Sequence, residues 1–251
     1  MLTDLLVDGI AIEGARLADA AELAGLDAKV PSCPRWRVRD LVRHTGGVHR
    51  WAGGHVRTPQ KQLINCGPLA SQFGGWPLDS ELIDWYRAEV DLLVESLRNA
   101  PDDIQTASFL LADSPKHFWA RRQCHEVEIH RVDAELAADG VTPIDRQRAA
   151  DGLDELLMGF VSRTSGKLRS DHPFSMTVAP DDAPDRWTVV ISSAPPAVSR
   201  ELSPSADVTV SGPVDLVFRC LWNRATIDDV RVDGDPQPLV QFKSSFKIRW
   251  S

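Results

Sequence analysis

The segment KHFWARRQCHEVEIHRVDAELAADG, residues 116–140, predicts a long helix with several polar residues on one face. Each residue of an α-helix turns by roughly 100°, so side chains four apart lie on one face, a turn apart. Glu126 and His130 have this spacing, and Asp133 follows about a turn later. His125 projects roughly 140° away from His130, so these two histidines do not lie on one helix face, as the two histidines of an H-E-x-x-H zinc motif do. The usable pair is a carboxylate and an imidazole.

Two ligands on one helix do not complete a catalytic zinc site, which takes three protein ligands and keeps one position open. His44, midway along a predicted second helix in RDLVRHTGGVHRWA, is the best third candidate. Inward-facing side chains from different helices of a bundle can converge on one ion. His49 points in another direction than His44, so we expect only one of the two to be a metal ligand. Spacing alone also fits a polar pair on a solvated helix face, and both interpretations stay open.

The remaining aromatic and charged residues of this half are typical of structural positions. We expect surface or capping roles for four histidines and a loop position for a fifth: His49, His55, His117 and His125, then His172. We expect the tryptophans to be core residues: Trp36, Trp51, Trp85 and Trp119. Asp133 is either a residue that orients His130 or an exposed acid, and Arg131 faces solvent or pairs with a nearby acid.

The hydrophobic pattern divides the chain into two halves. Amphipathic segments at about residues 9–25, 38–55 and 79–100 precede the quoted helix, and four such segments predict a four-helix bundle. Beyond it come another helix and short β-type runs (FSMTV, RWTVVIS, ADVTVSG), then the helical VDLVFRCLWNRA and a strand at DVRVDG. We therefore predict an α+β protein: a bundle over residues 1–143 and a smaller α+β domain with an antiparallel sheet over residues 144–251.

Composition excludes several classes of protein. The 251 residues include 28 Lys and Arg against 36 Asp and Glu, a net charge of -8 that argues against a nucleic-acid binder. Four scattered cysteines without a C-x-x-C pair indicate neither a disulfide scaffold nor a cysteine zinc ribbon. No signal peptide or long apolar run is visible, so we expect a cytoplasmic protein without a membrane partner. Nothing in the sequence indicates the oligomeric state.

Two segments of the first half resemble a known family. WRVRDLVRHTGGVHRWA, followed some seventy residues later by FWARRQCHEVEIHRVDAEL, is similar to the mycothiol-dependent maleylpyruvate isomerase family. ADVTVSGPVDLVFRCLWNRA and VRVDGD resemble the C-terminal domain of that family, so the likeness spans essentially the whole chain. It implies a DinB-like metal-binding bundle over residues 1–143 and a sterol-carrier-like domain over residues 144–251.

The resemblance also implies a site. The family holds a divalent metal, usually taken as zinc, through residues that match His44, Glu126 and His130. It places an arginine of the C-terminal domain near the active site, for which Arg224 in LWNR is the candidate. Asp133 joins Arg224 as a candidate catalytic residue. The cosubstrate implied is mycothiol, and the substrate is a small electrophile whose carboxylate Arg122 or Arg224 could hold.

Two histidines and a glutamate leave an open position where a thiol can be held as its nucleophilic thiolate. In an isomerase, the thiolate adds to an activated cis double bond, the single bond rotates, and elimination gives the trans product. If the adduct persists, the same residues make a thiol S-transferase.

Two other functions fit parts of the sequence. One is a non-catalytic lipid-binding or small-molecule-binding protein of the sterol-carrier type. The other is a metal-dependent hydrolase, with Asp133 or His125 as the base.

Overall fold

The computed structural model describes residues 1–64, 75–163, 168–203 and 205–246. The chain divides into two compact units, residues 1–142 and the chain from Pro143 onward. The first unit is built from helices, and the second combines helices with a five-stranded sheet. The predicted α+β class, with a helical bundle first and a sheet domain second, is confirmed. Among the described residues, no helix has the length and apolar character needed to cross a membrane.

Within residues 1–64 and 75–142, four long helices form the first unit. They are α1 (Thr3–Ala24), α2 (Val38–Arg57), α3 (Leu82–Asn99, entered through a 3-10 turn) and α4 (Pro115–Ala137). The hydroxyl of Ser114 caps α4 by accepting from the His117 backbone N–H, and Pro115 occupies the first helical position, where no N–H is needed. Each helix buries an apolar face in one shared core, which includes Leu6, Leu17, Leu41, Leu93 and Val127.

Contacts between the side chains fix the direction of each helix. The side chain of Thr3 contacts His117, and Glu13, further along α1, contacts Arg131, which lies further along α4. Helices α1 and α4 therefore run in the same direction. His44 meets Glu126, whereas His49, further along α2, meets Gln123, so α2 runs against α4.

The remaining helix, α3, runs with α2. Arg50 and Arg57 of α2 contact Glu89 and Ser96, in the same order along α3. The helix directions are therefore up-down-down-up, and the antiparallel helices α2 and α4 face each other inside the bundle. Gly46 lets α3 approach α2 closely, because a Cβ there would lie 2.6 Å from the Trp85 ring.

The second unit carries a mixed sheet. Its helices are α5 (Arg146–Asp154, continued by a π-helical turn over Glu155–Val161), α6 (Val214–Leu221) and α7 (Gln237–Ser245). Its strands are β1 (Phe174–Val178), β2 (Trp187–Ile191), β3 (Ala197–Ser199), β4 (Val208–Ser211) and β5 (Arg231–Gly234).

The strand order is β3-β2-β1-β4-β5. Three pairings are antiparallel, as predicted, and β1 pairs with β4 in parallel. A parallel pair needs a long crossover, and here β2 and β3 occupy the chain between its two strands.

Candidate metal centre

Two helices bring three potential metal ligands together inside the bundle. Oε1 of Glu126 lies 3.3 Å from Nε2 of His44 and 3.2 Å from Nε2 of His130. The ligand atoms of these three residues all lie within 4.8 Å of one another. Glu126 and His130 share a face of α4, while His44 comes from the antiparallel α2. The geometry suits a cation, since one carboxylate oxygen and two imidazole nitrogens face a common point.

A second carboxylate orients one of these imidazoles. Nδ1 of His130 lies 2.8 Å from Oδ2 of Asp133, which is fully buried. A carboxylate only accepts hydrogen bonds, so Nδ1 of His130 carries the hydrogen and donates it. Once Nε2 has released its own proton, its lone pair is directed at the common point, as in many metal sites where a histidine is held by an acid. Asp133 is thus a buried partner of His130 rather than an exposed acid.

The connection between α1 and α2 supplies further contacts to this acid. Ser32 donates its hydroxyl to Oδ1 of Asp133, and the thiol of Cys33 lies 4.0 Å from Oδ2. Trp36, from the same connection, lies beside the ligand imidazoles, with ring centroids 4.8 Å from His44 and 6.0 Å from His130. Sequence patterns did not single out these contacts, because a connection without periodicity gives no prediction of its tertiary neighbours.

Arg122 occupies the turn of α4 before Glu126. Its Nη2 donates to Oε2 of Glu126 over 3.1 Å, and its side chain is only 2% exposed. The guanidinium therefore contacts one oxygen of Glu126 while the two imidazoles contact the other. Arg122, a candidate for holding a substrate carboxylate, here holds a carboxylate of the protein itself.

The pKa values within the site follow from burial opposed by close partners. Burial alone would raise the pKa of Glu126, but the hydrogen bonds of His130 and His44, aided by Arg122, hold it well below its usual range. Burial would lower the pKa of His130, but Asp133 and Glu126 raise it to about 9. Burial dominates at His44 and lowers its pKa. In the metal-free protein, His130 therefore carries a proton at neutral pH while His44 is neutral.

The other histidines of the bundle are buried, so the prediction of surface or capping positions for them was wrong. His49 meets Gln123 over 2.7 Å, and His55 contacts Trp51 and the backbone N–H of Ile64. His117 meets Thr3, and His125 lies 3.0 Å from Glu128. The partners of His49 and His117 come from other helices, and local sequence patterns do not reveal them. His172 lies in an exposed loop, as predicted.

Arg131 and four tryptophans of the first unit differ in how deeply they are buried. Arg131 is buried, so the solvent-facing alternative is wrong, whereas the predicted pairing with a nearby acid is confirmed. Arg131 donates to Glu135 of α4 and also to Glu13 of α1. Trp51 and Trp119 belong to the core, as predicted, whereas Trp36 and Trp85 are only partly buried and pack against it.

Cys124, His125 and Glu128 form a second group of buried potential ligands, all three from the single helix α4. Arg224 follows α6 in the second unit, where its Nη1 donates to the carbonyl of Trp222 over 2.8 Å. Its backbone N–H bonds to the carbonyl of Arg219 over 2.7 Å.

Two family models match the chain. The mycothiol maleylpyruvate isomerase N-terminal domain matches residues 7–135, and the MDMPI C-terminal domain matches residues 147–241. Together they cover most of the sequence, in the order of the two compact units. No curated protein matches the chain significantly.

Solved structures show the same fold. Two crystal structures of the mycothiol-dependent maleylpyruvate isomerase, one with a histidine replaced by alanine, superpose with TM-scores of 0.63 and 0.65. Each superposition covers 92% of this chain and 93% of that chain, at 15% and 14% sequence identity respectively. At such identities the likeness concerns the fold alone.

Proposed function

The chain belongs to the mycothiol maleylpyruvate isomerase family, and we propose that it is a mycothiol-dependent isomerase that works with a divalent metal, expected to be zinc. The metal would be held by His44, Glu126 and His130. The observation that carries this proposal is the meeting of their three ligand atoms within 4.8 Å, on two antiparallel helices.

The donor set fits such an ion on two counts. Oε1 of Glu126 faces both Nε2 atoms at 3.3 and 3.2 Å, an arrangement in which a cation between them gains contacts with all three. Asp133 takes up the other nitrogen of His130, so that imidazole presents a single lone pair toward the cluster. Three protein ligands leave a position for a small molecule, which separates a catalytic site from a closed structural one.

A divalent cation at these residues would supply Lewis acidity that favours the thiolate of mycothiol over the neutral thiol at neutral pH. The chain's own residues prepare this chemistry. Asp133 fixes the hydrogen of His130 on Nδ1, and Arg122 holds the second oxygen of Glu126. Trp36 forms an aromatic wall beside the imidazoles, which limits the approach of water from that side.

The reaction we propose needs no net consumption of thiol. The thiolate adds to one carbon of an activated cis double bond, and the electron pair moves to the conjugated carbonyl. The former double bond is now a carbon-carbon single bond, about which the adduct rotates. Expulsion of the thiolate then restores the double bond and gives the trans isomer. We assign Arg224 the role of binding a carboxylate of the substrate, the task for which a bidentate guanidinium is suited.

Metal content and mycothiol-dependent turnover test the proposal together. Purified protein would be analysed for divalent metal, then incubated with mycothiol and a panel of electrophiles, with both cis-trans conversion and adduct mass recorded. We expect near-stoichiometric metal in the wild type and loss of metal and turnover in His44→Ala. His172→Ala, which removes an exposed histidine of the second unit, serves as the matched control.

Three results would contradict the proposal or part of it. Unchanged metal content in His44→Ala would exclude the ligand assignment. Turnover that ignores the thiol would exclude the role of mycothiol and favour a hydrolase. A persistent adduct without a trans product would identify a thiol S-transferase in place of an isomerase.

A further inference from the structure

The two oxygens of Glu126 lie in different surroundings. Oε1 faces the two ligand imidazoles, at 3.3 Å from His44 and 3.2 Å from His130. Oε2 accepts a hydrogen bond from Nη2 of Arg122 over 3.1 Å. The side chains of Glu126, Arg122 and both histidines are at most 12% exposed, so water competes little for either oxygen. The asymmetry matters because a carboxylate can bind a metal through one oxygen or through both.

We propose that Arg122 is a positioning residue that keeps Glu126 a one-oxygen ligand, by binding Oε2 and leaving only Oε1 to the metal. The inference rests on the proposed function, because it concerns the metal held by His44, Glu126 and His130. Arg122 suits this role for two reasons. Its spacing of four residues on α4 puts its guanidinium one turn from Glu126, and a buried charge-assisted hydrogen bond is strong enough to compete for an oxygen.

The consequence for catalysis is an open ligand position. Two imidazoles and one carboxylate oxygen make three protein ligands, which in a tetrahedral site leaves one place for a thiol. A second oxygen from Glu126 would take part of that place and donate more electron density to the metal, and both effects oppose the binding of a thiolate. Arg122 therefore acts on the thiol through Glu126, without touching the substrate.

The test is the visible spectrum of the cobalt-substituted protein, since tetrahedral Co²⁺ absorbs much more strongly than five-coordinate Co²⁺. We expect the wild type to show the intense bands of four-coordination and Arg122→Gln to show the weaker bands of five-coordination, each with one Co²⁺ bound. Arg50→Gln is the matched control. It removes a different Arg-to-Glu pair of the same bundle, in which Nε of Arg50 lies 2.8 Å from Glu89, and we expect the wild-type spectrum.

Kinetics give a second readout. With its thiol position partly filled, Arg122→Gln is expected to raise the KM for mycothiol about tenfold or more, a change of roughly 1.4 kcal/mol in thiol binding. The KM for the electrophile should change less, because Arg122 does not contact that substrate in this proposal.

Each outcome decides a different statement. If the wild type binds no Co²⁺, the proposed metal site fails, and this inference fails with it. If the wild type binds Co²⁺ and Arg122→Gln has the wild-type spectrum, only the role of Arg122 is overturned. Should Arg122→Gln not fold, X-ray absorption of the zinc-loaded wild type decides. Four light-atom ligands support the inference, and a fifth oxygen at longer distance refutes it.

Discussion

Replacing Asp133 tests how much of the metal affinity depends on the orientation of His130. The carboxylate is fully buried, accepts from Nδ1 of His130 over 2.8 Å, and also accepts from the hydroxyl of Ser32. Residues that orient a metal-binding histidine typically contribute about 10- to 100-fold in affinity. Asp133→Ala removes both contacts, so we expect a loss near the upper limit, about 2.7 kcal/mol. Asp133→Asn keeps an oxygen that can accept from Nδ1, and we expect a loss of about tenfold or less.

The pH of the measurement changes the size of this loss. Asp133 and Glu126 together raise the pKa of His130 to about 9, against burial. At pH 7 the wild type must release that proton before Nε2 can bind metal, which weakens its apparent affinity about 100-fold. Without Asp133, the pKa of His130 falls and the proton competes less. The gap between wild type and Asp133→Ala should therefore be smallest at pH 7 and widen as the pH rises to 9.

Competition with a chromophoric chelator, at several pH values, measures these affinities. Glu135→Gln is the matched control, since Glu135 lies two residues further along α4 and binds Arg131 and Thr142 instead of a ligand. Its affinity should equal that of the wild type. If Asp133→Ala binds metal within twofold of the wild type at pH 9, then Asp133 does not orient a ligand, and the reasoning from the hydrogen bond to Nδ1 is wrong.

Three further predictions concern the stability of the bundle. Burial lowers the pKa of His49 to about 4, below its unfolded value of roughly 6.5. As the pH falls, the unfolded chain therefore takes up a proton before the folded one, and the free energy of unfolding should fall by up to about 3 kcal/mol between pH 6.5 and 4. Urea titrations should show a flatter pH dependence of stability for His49→Gln than for the wild type. An equal slope would exclude His49 as the cause. The hydroxyl of Tyr86 is buried without a hydrogen-bond partner among the described residues. Tyr86→Phe should thus match the wild type or gain about 1 kcal/mol in the same titrations, whereas a loss of that size would reveal a bound water. Gly46→Ala places a Cβ 2.6 Å from the Trp85 ring and should cost about 1–3 kcal/mol. A Cβ at Gly54 of the same helix meets nothing within 4 Å, so Gly54→Ala should gain up to about 1 kcal/mol; equal melting temperatures for the two variants would contradict the packing argument.

The parts of the fold that follow from local periodicity could be predicted from the sequence. The four bundle helices and strands β1, β2 and β4 have clear apolar patterns, and the spacing of Glu126 and His130 places them on one face. The three-residue strand β3 is too short to show a pattern. The parallel pairing of β1 with β4 depends on tertiary contacts that neither strand displays.

The polar interior of the bundle could not be predicted for the same reason. Local patterns assign charged and histidine residues to the surface, because burial of an unpaired polar group is costly. In this bundle the partner often comes from another helix, as Gln123 does for His49 and Glu13 for Arg131. The Ser32 contact to Asp133 spans about a hundred residues of sequence and lies in a connection without periodicity. Pairing over such separations is a property of the folded chain only.

The formal charges of the site connect the metal to the choice of nucleophile. In the metal-free protein, the negative Glu126 and Asp133 are balanced by the positive Arg122 and by His130, whose pKa is about 9. Exchange of the His130 proton for a divalent cation would leave one net positive charge in a buried place. An anion complements that positive charge and a neutral thiol does not. The net charge of the site therefore favours the thiolate, increasingly so as water is excluded.

Removal of Arg122 would cancel the net positive charge of the metal-loaded site. The thiol bound to Arg122→Gln should therefore ionise at higher pH than in the wild type, and the acid limb of the kcat profile should move to higher pH. Because His130 no longer titrates once the metal has replaced its proton, an unmoved acid limb would show that the charge of Arg122 is not felt by the thiol.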